Sequence, residues 1–240
     1  MTCLTRALSK GLFTAATITA LTLSSPVQAK ADFAPSKKDK CTAGQEIEKT
    51  GTIAGGVDGD TVHITTTSGT YSVRLLGIDT PETHFMGKSQ GVWGEKAARA
   101  MQAMLEVGAK VRLEFGETPC DGHGRVLAQL FKGKTHVNAQ ILQQGLAVNY
   151  CVAPEFRYCE EFSRYTQESI DNGIGMYADP KVELPYDFRR RIGGNEQRSY
   201  VGSIRTKQVF GPGNQERTPP AERVFFYKIS DVQAPYRIVE

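Results

Sequence analysis

Apolar positions along this 240-residue chain fall into blocks of differing period. Between Thr50 and Val57, β-branched residues lead into Gly55-Gly56, which predicts a strand running into a bend. Val62 and Ile64 alternate with His63 and Thr65 over Thr61–Thr67, Ser68-Gly69 turns the chain, and Tyr71–Ile78 returns as a third strand. The period then changes. Ala97, Ala98, Met101, Met104 and Leu105 recur at three and four within Gly91–Val107, with Gly108 just past the end, predicting an amphipathic helix. Lys110–Phe115 and Val126–Phe131 read as strands again. Val137–Gln144 reads as a short helix with Ile141 and Leu142 inward, and Glu160–Asp171 as a third helix ended by Asn172-Gly173.

The order β-β-β-α-β-β-α-α predicts an α+β fold that is mainly β: a five-stranded Greek-key barrel of the OB type with about three helices. Beyond Asp179-Pro180 the composition shifts to Pro185, Arg189-Arg190-Arg191, Gly211-Pro212-Gly213 and Pro219-Pro220. Only Arg223–Ile229 has clear strand character there, so this part reads as a linker with a small C-terminal appendage. At the other end Arg6 and Lys10, the apolar run Gly11–Leu23 and Val27-Gln28-Ala29 have the order of a signal for export. The run is shorter than the ~20 apolar residues that span a bilayer. The expected organisation is therefore a signal peptide over 1–29, a polar N-terminal linker over 30–48, the barrel over 49–178 and a basic C-terminal extension over 179–240. The expected mature form is a monomer free of the membrane, in the periplasm or released outside the cell.

Charge narrows the function classes. Cleavage after Ala29 removes Arg6 and Lys10, so 29 basic residues fall to 27 against 26 acidic ones, a net +1. Bulk charge of that size does not hold a polyanion, so any anion recognition must be local. The balance is uneven: from Lys181 onward 11 basic residues stand against 7 acidic. Cys3 leaves with the signal, while Cys41, Cys120, Cys151 and Cys159 remain, an even number that in an exported chain predicts two disulfides. Three connectivities satisfy that count, with Cys151–Cys159 the simplest pair. Zinc spacings such as Cys-x-x-Cys are absent from the sequence.

The chemistry concentrates between Asp58 and Glu82, where three aspartates, one arginine and one glutamate share 25 positions of an otherwise apolar hairpin. Asp58-Gly59-Asp60 alone reads as a good turn. With Asp79 and the Thr80 carbonyl, however, Asp60 would offer oxygen donors to a hard cation. Arg74 sits inside an apolar strand, where a charge is rare unless paired, and its planar fork suits carboxylate or phosphate. Glu82 follows Pro81, which bends it out of the sheet, and beside a cation it is placed to deprotonate water. Arg125, after Gly122-His123-Gly124, supplies a second cation for a phosphate gaining charge.

Val57-Asp-Gly-Asp-Thr61, the long Arg74-Leu-Leu-Gly-Ile-Asp-Thr-Pro-Glu-Thr83 motif, Asp121-Gly-His-Gly-Arg125 and Gln144-Gly-Leu-Ala147 together resemble the staphylococcal nuclease (thermonuclease) family over about Gly51–Tyr177. The resemblance implies an OB-fold, Ca²⁺-dependent phosphodiesterase acting on DNA and RNA, single strands preferred, that leaves 3′-phosphate products. It implies Asp60, Asp79 and Thr80 as metal ligands, with Asp58 behind them, Glu82 as general base and Arg74 and Arg125 as phosphate clamps. His123 and Tyr150 become the expected nucleotide-binding side chains. The founding member has lysine and tyrosine where this chain has Gly122 and His123, which alters contacts to a terminal phosphate or base. The tail faintly resembles a small Cys-containing metal-binding module of some relatives, with Gly211 and Asn214 at its expected ligand positions.

A second reading, from a different class, is a catalytically silent OB module that binds single strands by stacking and local charge. Retention of Arg74, Glu82 and Arg125 weighs against it. A disulfide-braced envelope or adhesion protein has no positive support in the sequence.

Overall fold

The structure, a computed structural model, describes residues 38–56, 58–194 and 199–239. The expected signal peptide and Val57 lie outside these. Twelve strands and four α-helices follow in order: β1 (Thr50–Gly56), β2 (Thr61–Thr66), β3 (Gly69–Leu75), β4 (Gly77–Asp79), α1 (Val92–Met104), β5 (Lys110–Cys120), β6 (Val126–Lys132), β7 (Thr135–His136), α2 (Val137–Gln143), β8 (Val148–Val152), α3 (Cys159–Asp171), α4 (Pro185–Gly193), β9 (Tyr200–Ser203), β10 (Gln208–Phe210), β11 (Arg223–Phe226) and β12 (Arg237–Ile238).

Five strands close into the expected barrel. β1, β2 and β3 form an antiparallel meander, β5 pairs with β1 and with β6, and the parallel pair β3–β6 completes the ring. Alternation sets the inward face: Ile53, Val62, Ile64, Tyr71, Val73 and Leu75 are buried in the meander and meet Val111, Leu113, Ala128 and Leu130 across the barrel. Ala97 and Met101 of α1, Ile141 and Leu142 of α2, and Phe162 of α3 join the same core.

Two details differ from the expectation. The strand expected over Tyr71–Ile78 breaks at Leu76, so β3 stays in the barrel while β4 pairs antiparallel with β8. Gly77 makes the corner with φ 76°, and a Cβ there would stand 2.8 Å from the Phe162 ring. Second, the described residues hold four α-helices against the expected three or so, and the described part of the tail is folded. β11 pairs with β8 in parallel and with β9 antiparallel, extending one sheet in the order β12-β10-β9-β11-β8-β4. Its core includes Cys151, Val209, Val224 and Phe226. The C-terminal segment thus shares a sheet with β4, the strand that carries Asp79.

The polar segment before β1 is also fastened. Asp39 N–H donates to Thr70 C=O and its carboxylate accepts from Thr70 N–H, and Cys41 is bonded to Cys120, with Cα atoms 5.5 Å apart. The second disulfide joins Cys151 and Cys159, with Cα atoms 6.0 Å apart, so β8 is tied to the first turn of α3.

Candidate active site

Four pieces of backbone converge at one end of the barrel. The turn after β1 brings Asp58 and Asp60, β3 brings Arg74, the β4 end brings Asp79 and Thr80, and the loop beyond brings Glu82. Gly59 allows the turn to pack closely, since a Cβ there would meet Ala97 Cβ and Thr80 Oγ1 at 2.7 Å. The Thr80 N–H donates to Asp60 Oδ2 at 3.0 Å, so the two acidic turns are stitched together. Asp58 accepts from the Asp60 N–H at 3.1 Å. Burial, reinforced by the Asp60 carboxylate, pushes the Asp58 pKa up to about 7.

Arg74 is the hub. Its Nη1 lies 2.5 Å from Asp60 Oδ2, near enough for an ion pair although not aligned as a hydrogen bond, and Nη2 donates to Asp79 Oδ1 at 3.0 Å. Burial works against its charge, but Asp60 and Asp79 outweigh that and hold the guanidinium firmly protonated. An isolated ion at this depth is prohibitive; a guanidinium between two carboxylates is not.

Glu82 is positioned by its own backbone. Its N–H donates to Gln90 Oε1 at 2.9 Å, while Gln90 Nε2 donates to Glu183 C=O at 2.7 Å. Gly94 of α1 packs directly against the Glu82 carbonyl, where a Cβ would come within 2.5 Å. Burial raises the Glu82 pKa, opposed by a hydrogen bond from Arg189.

Arg125 comes from the loop between β5 and β6. Asp121 Oδ1 accepts the Arg125 and His123 N–H groups at 2.9 Å, and Oδ2 accepts from Arg125 Nε at 2.7 Å. Burial works to raise the Asp121 pKa, but these donors outweigh it and hold the carboxyl below its ordinary value.

Asp58, Asp60, Arg74, Glu82 and Arg125 line one cleft of about 510 Å³, together with His123, Phe85, Tyr150, Arg189 and Tyr227, while the expected metal ligands Asp79 and Thr80 are buried and do not line it. A contiguous cleft of about 490 Å³ shares Arg74, His123, Arg125, Tyr150 and Tyr227 and runs on over Pro154 and Glu155. Every expected catalytic and nucleotide-facing side chain therefore reaches the same opening. Tyr150 packs on Phe225 with ring centroids 4.7 Å apart, an aromatic wall half supplied by the C-terminal segment. Phe85, Tyr227 and Arg189 were not anticipated as lining residues. Tyr227 places its hydroxyl 3.4 Å from that of Tyr150, and Arg189 of α4 bonds both Asp79 and Glu82.

Among the described residues no group of three His, Cys, Asp or Glu side chains gathers as a metal site. Asp60 and Asp79 nonetheless converge on one guanidinium and present only hard oxygen donors. That donor set fits a hard divalent ion completed by carbonyl and water oxygens, and does not suit zinc.

The geometry agrees with the comparisons. Residues 72–179 match the family described as staphylococcal nuclease homologue. This part of the chain is a staphylococcal nuclease-like domain of OB architecture. The match begins inside β3, so β1, β2 and the Asp58–Thr61 turn join the domain on structural grounds. Endonuclease YhcR of Bacillus subtilis (strain 168) is 29% identical over 202 residues, covering 79% of this chain and 16% of its own length. Thermonuclease of Staphylococcus hyicus is 29% identical over 122 residues, covering 51% of this chain and 72% of its own. SPbeta prophage-derived endonuclease YokF of Bacillus subtilis (strain 168) is 32% identical over 129 residues, 53% of this chain and 43% of its own. This chain thus spans less than half the length of YhcR and YokF. The 79% covered by the first alignment is more than residues 1–179 contain, so that similarity continues into the C-terminal segment.

Proposed function

We propose that this chain is an exported, Ca²⁺-dependent nuclease that hydrolyses phosphodiester bonds of DNA and RNA to 3′-phosphate products. The observation that carries the proposal is the cleft in which Arg74, Arg125, Glu82 and Asp60 face one opening, with the buried Asp79 bonded to Arg74. Relatives named endonuclease and thermonuclease support the same reaction. Export is supported by the leader-like sequence and by the two disulfides.

In this reading Asp60, Asp79 and the Thr80 carbonyl hold the ion, which when bound supplies positive charge against the phosphate. Glu82 takes the proton of the attacking water. Arg74, fixed by Asp60 and Asp79, and Arg125, fixed by Asp121, meet the equatorial oxygens as charge builds on phosphorus. The bond from phosphorus to the 5′ oxygen breaks as the bond to the water oxygen forms, and the 5′ oxygen leaves as a hydroxyl on taking a proton from solvent. Preorganisation of both guanidiniums by carboxylates avoids reorganising them during the reaction. His123 and Tyr150 face the nucleotide, and an unpaired base can lie against the aromatic wall, which favours single strands.

The test is digestion of labelled single-stranded DNA and RNA with Ca²⁺ and with chelator, followed by identification of the product ends. Cleavage that depends on Ca²⁺ and leaves 3′-phosphates supports the proposal. Chelator-resistant cleavage, or binding without cleavage, overturns it.

A further inference from the structure

Arg189 lies outside the family-matched stretch, at the start of an Arg189-Arg190-Arg191 run that has the look of a solvated basic linker. The structure separates the three. Arg190 pairs with Asp187 one turn back, and Arg191 is spread over Glu183. Arg189 instead points into the cleft and makes three charge-assisted hydrogen bonds: Nη1 to Asp79 Oδ1 at 2.8 Å, Nη2 to Asp79 Oδ2 at 2.6 Å, and Nη1 to Glu82 Oε1 at 2.6 Å.

Its placement is built. Helix α4 starts at Pro185 and buries Tyr186 and Phe188. The Tyr186 hydroxyl accepts from Arg223 of β11 at 2.9 Å, and Asp187 accepts from Gln215 at 2.5 Å. The segment before α4 accepts from Gln90, whose other end fixes Glu82. The guanidinium is thus held by the C-terminal sheet on one side and by the Glu82 loop on the other.

We infer that Arg189 is a positioning residue of the cleft that competes with the divalent ion for Asp79, so that metal binding displaces its guanidinium and releases Glu82. Both Asp79 oxygens accept from Arg189, and Oδ1 also accepts from Arg74, which leaves the carboxylate little room for another partner. A monovalent guanidinium and a divalent ion on one carboxylate repel each other in a buried site. Glu82, the base of the proposed reaction, is ion-paired while Arg189 is in place and is freed by the same exchange. The inference rests on the proposed metal-dependent function.

The experiment is Ca²⁺ titration calorimetry on the full chain, wild type against Arg189→Gln and Arg189→Lys, without substrate. Removing the competing charge should tighten Ca²⁺ binding at least tenfold in Arg189→Gln, and Arg189→Lys should return the affinity toward wild type. The substitution must also lower the unfolding midpoint of the metal-free protein and enlarge the gain produced by Ca²⁺, since the carboxylates lose their partner. Equal or weaker Ca²⁺ affinity in Arg189→Gln overturns the inference while leaving the nuclease reading in place. Absence of Ca²⁺ binding in wild type and both variants overturns the metal reading along with it. Should Arg189→Gln not fold, proton exchange at the wild-type Arg189 guanidinium decides: it must quicken on adding Ca²⁺, and unchanged exchange overturns the inference.

Discussion

Asn138, the second residue of α2, is wholly buried and bridges β6 to the Leu76 corner, adding to the direct hydrogen bond from the Leu76 N–H to the Ala128 carbonyl. Its Oδ1 accepts from the Leu130 N–H of β6 and its Nδ2 donates to the Leu76 carbonyl, both at 2.9 Å. Leu76 is the corner between β3 and β4, midway between Arg74 and Asp79, so this amide braces the backbone on which the site is built. Asn138→Ala leaves the buried Leu130 N–H unpaired, at about 1–3 kcal/mol. The Leu76 carbonyl, at a half-buried residue, adds a smaller loss. Better helix propensity at the substituted position returns about 0.5 kcal/mol. The net expectation is about 1–3 kcal/mol, a large part of the ~5–15 kcal/mol that holds a domain of this kind together. Urea unfolding followed by tryptophan fluorescence should show a lower midpoint with an unchanged slope. Cleavage by the fraction that remains folded should fall as well, because the corner carrying Arg74 and Asp79 is loosened. A stability loss below about 0.5 kcal/mol would refute the reasoning, since ordinary surface changes reach that size.

Other consequences follow from the same packing. The Cys41–Cys120 bond spans 79 residues and Cys151–Cys159 only 8, so chain-entropy arguments give about 4.5 and about 2.5 kcal/mol. Replacing the first pair by alanine should therefore cost about 2 kcal/mol more in denaturant unfolding than replacing the second; equal losses or the reverse order would contradict this. Gly94→Ala raises helix propensity by about 1 kcal/mol but drives a Cβ to 2.5 Å from the Glu82 carbonyl. The clash should win, lowering the cleavage rate at saturating substrate, and a variant both more stable and fully active would count against the placement of Glu82.

Much of the barrel was readable from period alone. Val62 and Ile64 against His63 and Thr65 mark a half-buried strand, and the three-and-four spacing of Ala97, Met101 and Leu105 marks α1, because one face of each meets the core. The break at Leu76 was hidden because apolar residues run straight through it: Leu75 faces the barrel core while Ile78 is buried after β4 has joined another sheet. Gly77 is the one local signal. In the C-terminal segment β11 falls within the expected Arg223–Ile229 strand, whereas β9, β10, β12 and the pairing of β11 with β8 were not legible. Arg223, Val224, Phe225 and Phe226 are all buried, so β11 shows no alternation, and its parallel partner β8 lies some seventy residues earlier.

The site divides along the same line. Asp60, Arg74, Asp79 and Glu82 were legible because unpaired charge is costly in an apolar hairpin, and local backbone brings them together. Arg125 was legible through its glycine-flanked loop. Arg189 was not, since nothing local distinguishes it from Arg190 and Arg191; only the docking of α4 selects which of the three enters the cleft. Tyr227 was equally invisible, a residue past the end of a strand whose partner strand could not be foreseen.

The most direct test of the central claim is the single-turnover rate of oligonucleotide cleavage at saturating Ca²⁺ and enzyme, wild type against Glu82→Gln. Glutamine keeps the shape and an acceptor for Arg189 but cannot take a proton from water. The account predicts a loss of at least ~10²-fold with substrate affinity little changed, as removal of a general base requires. A Glu82→Gln rate within a few-fold of wild type would contradict it.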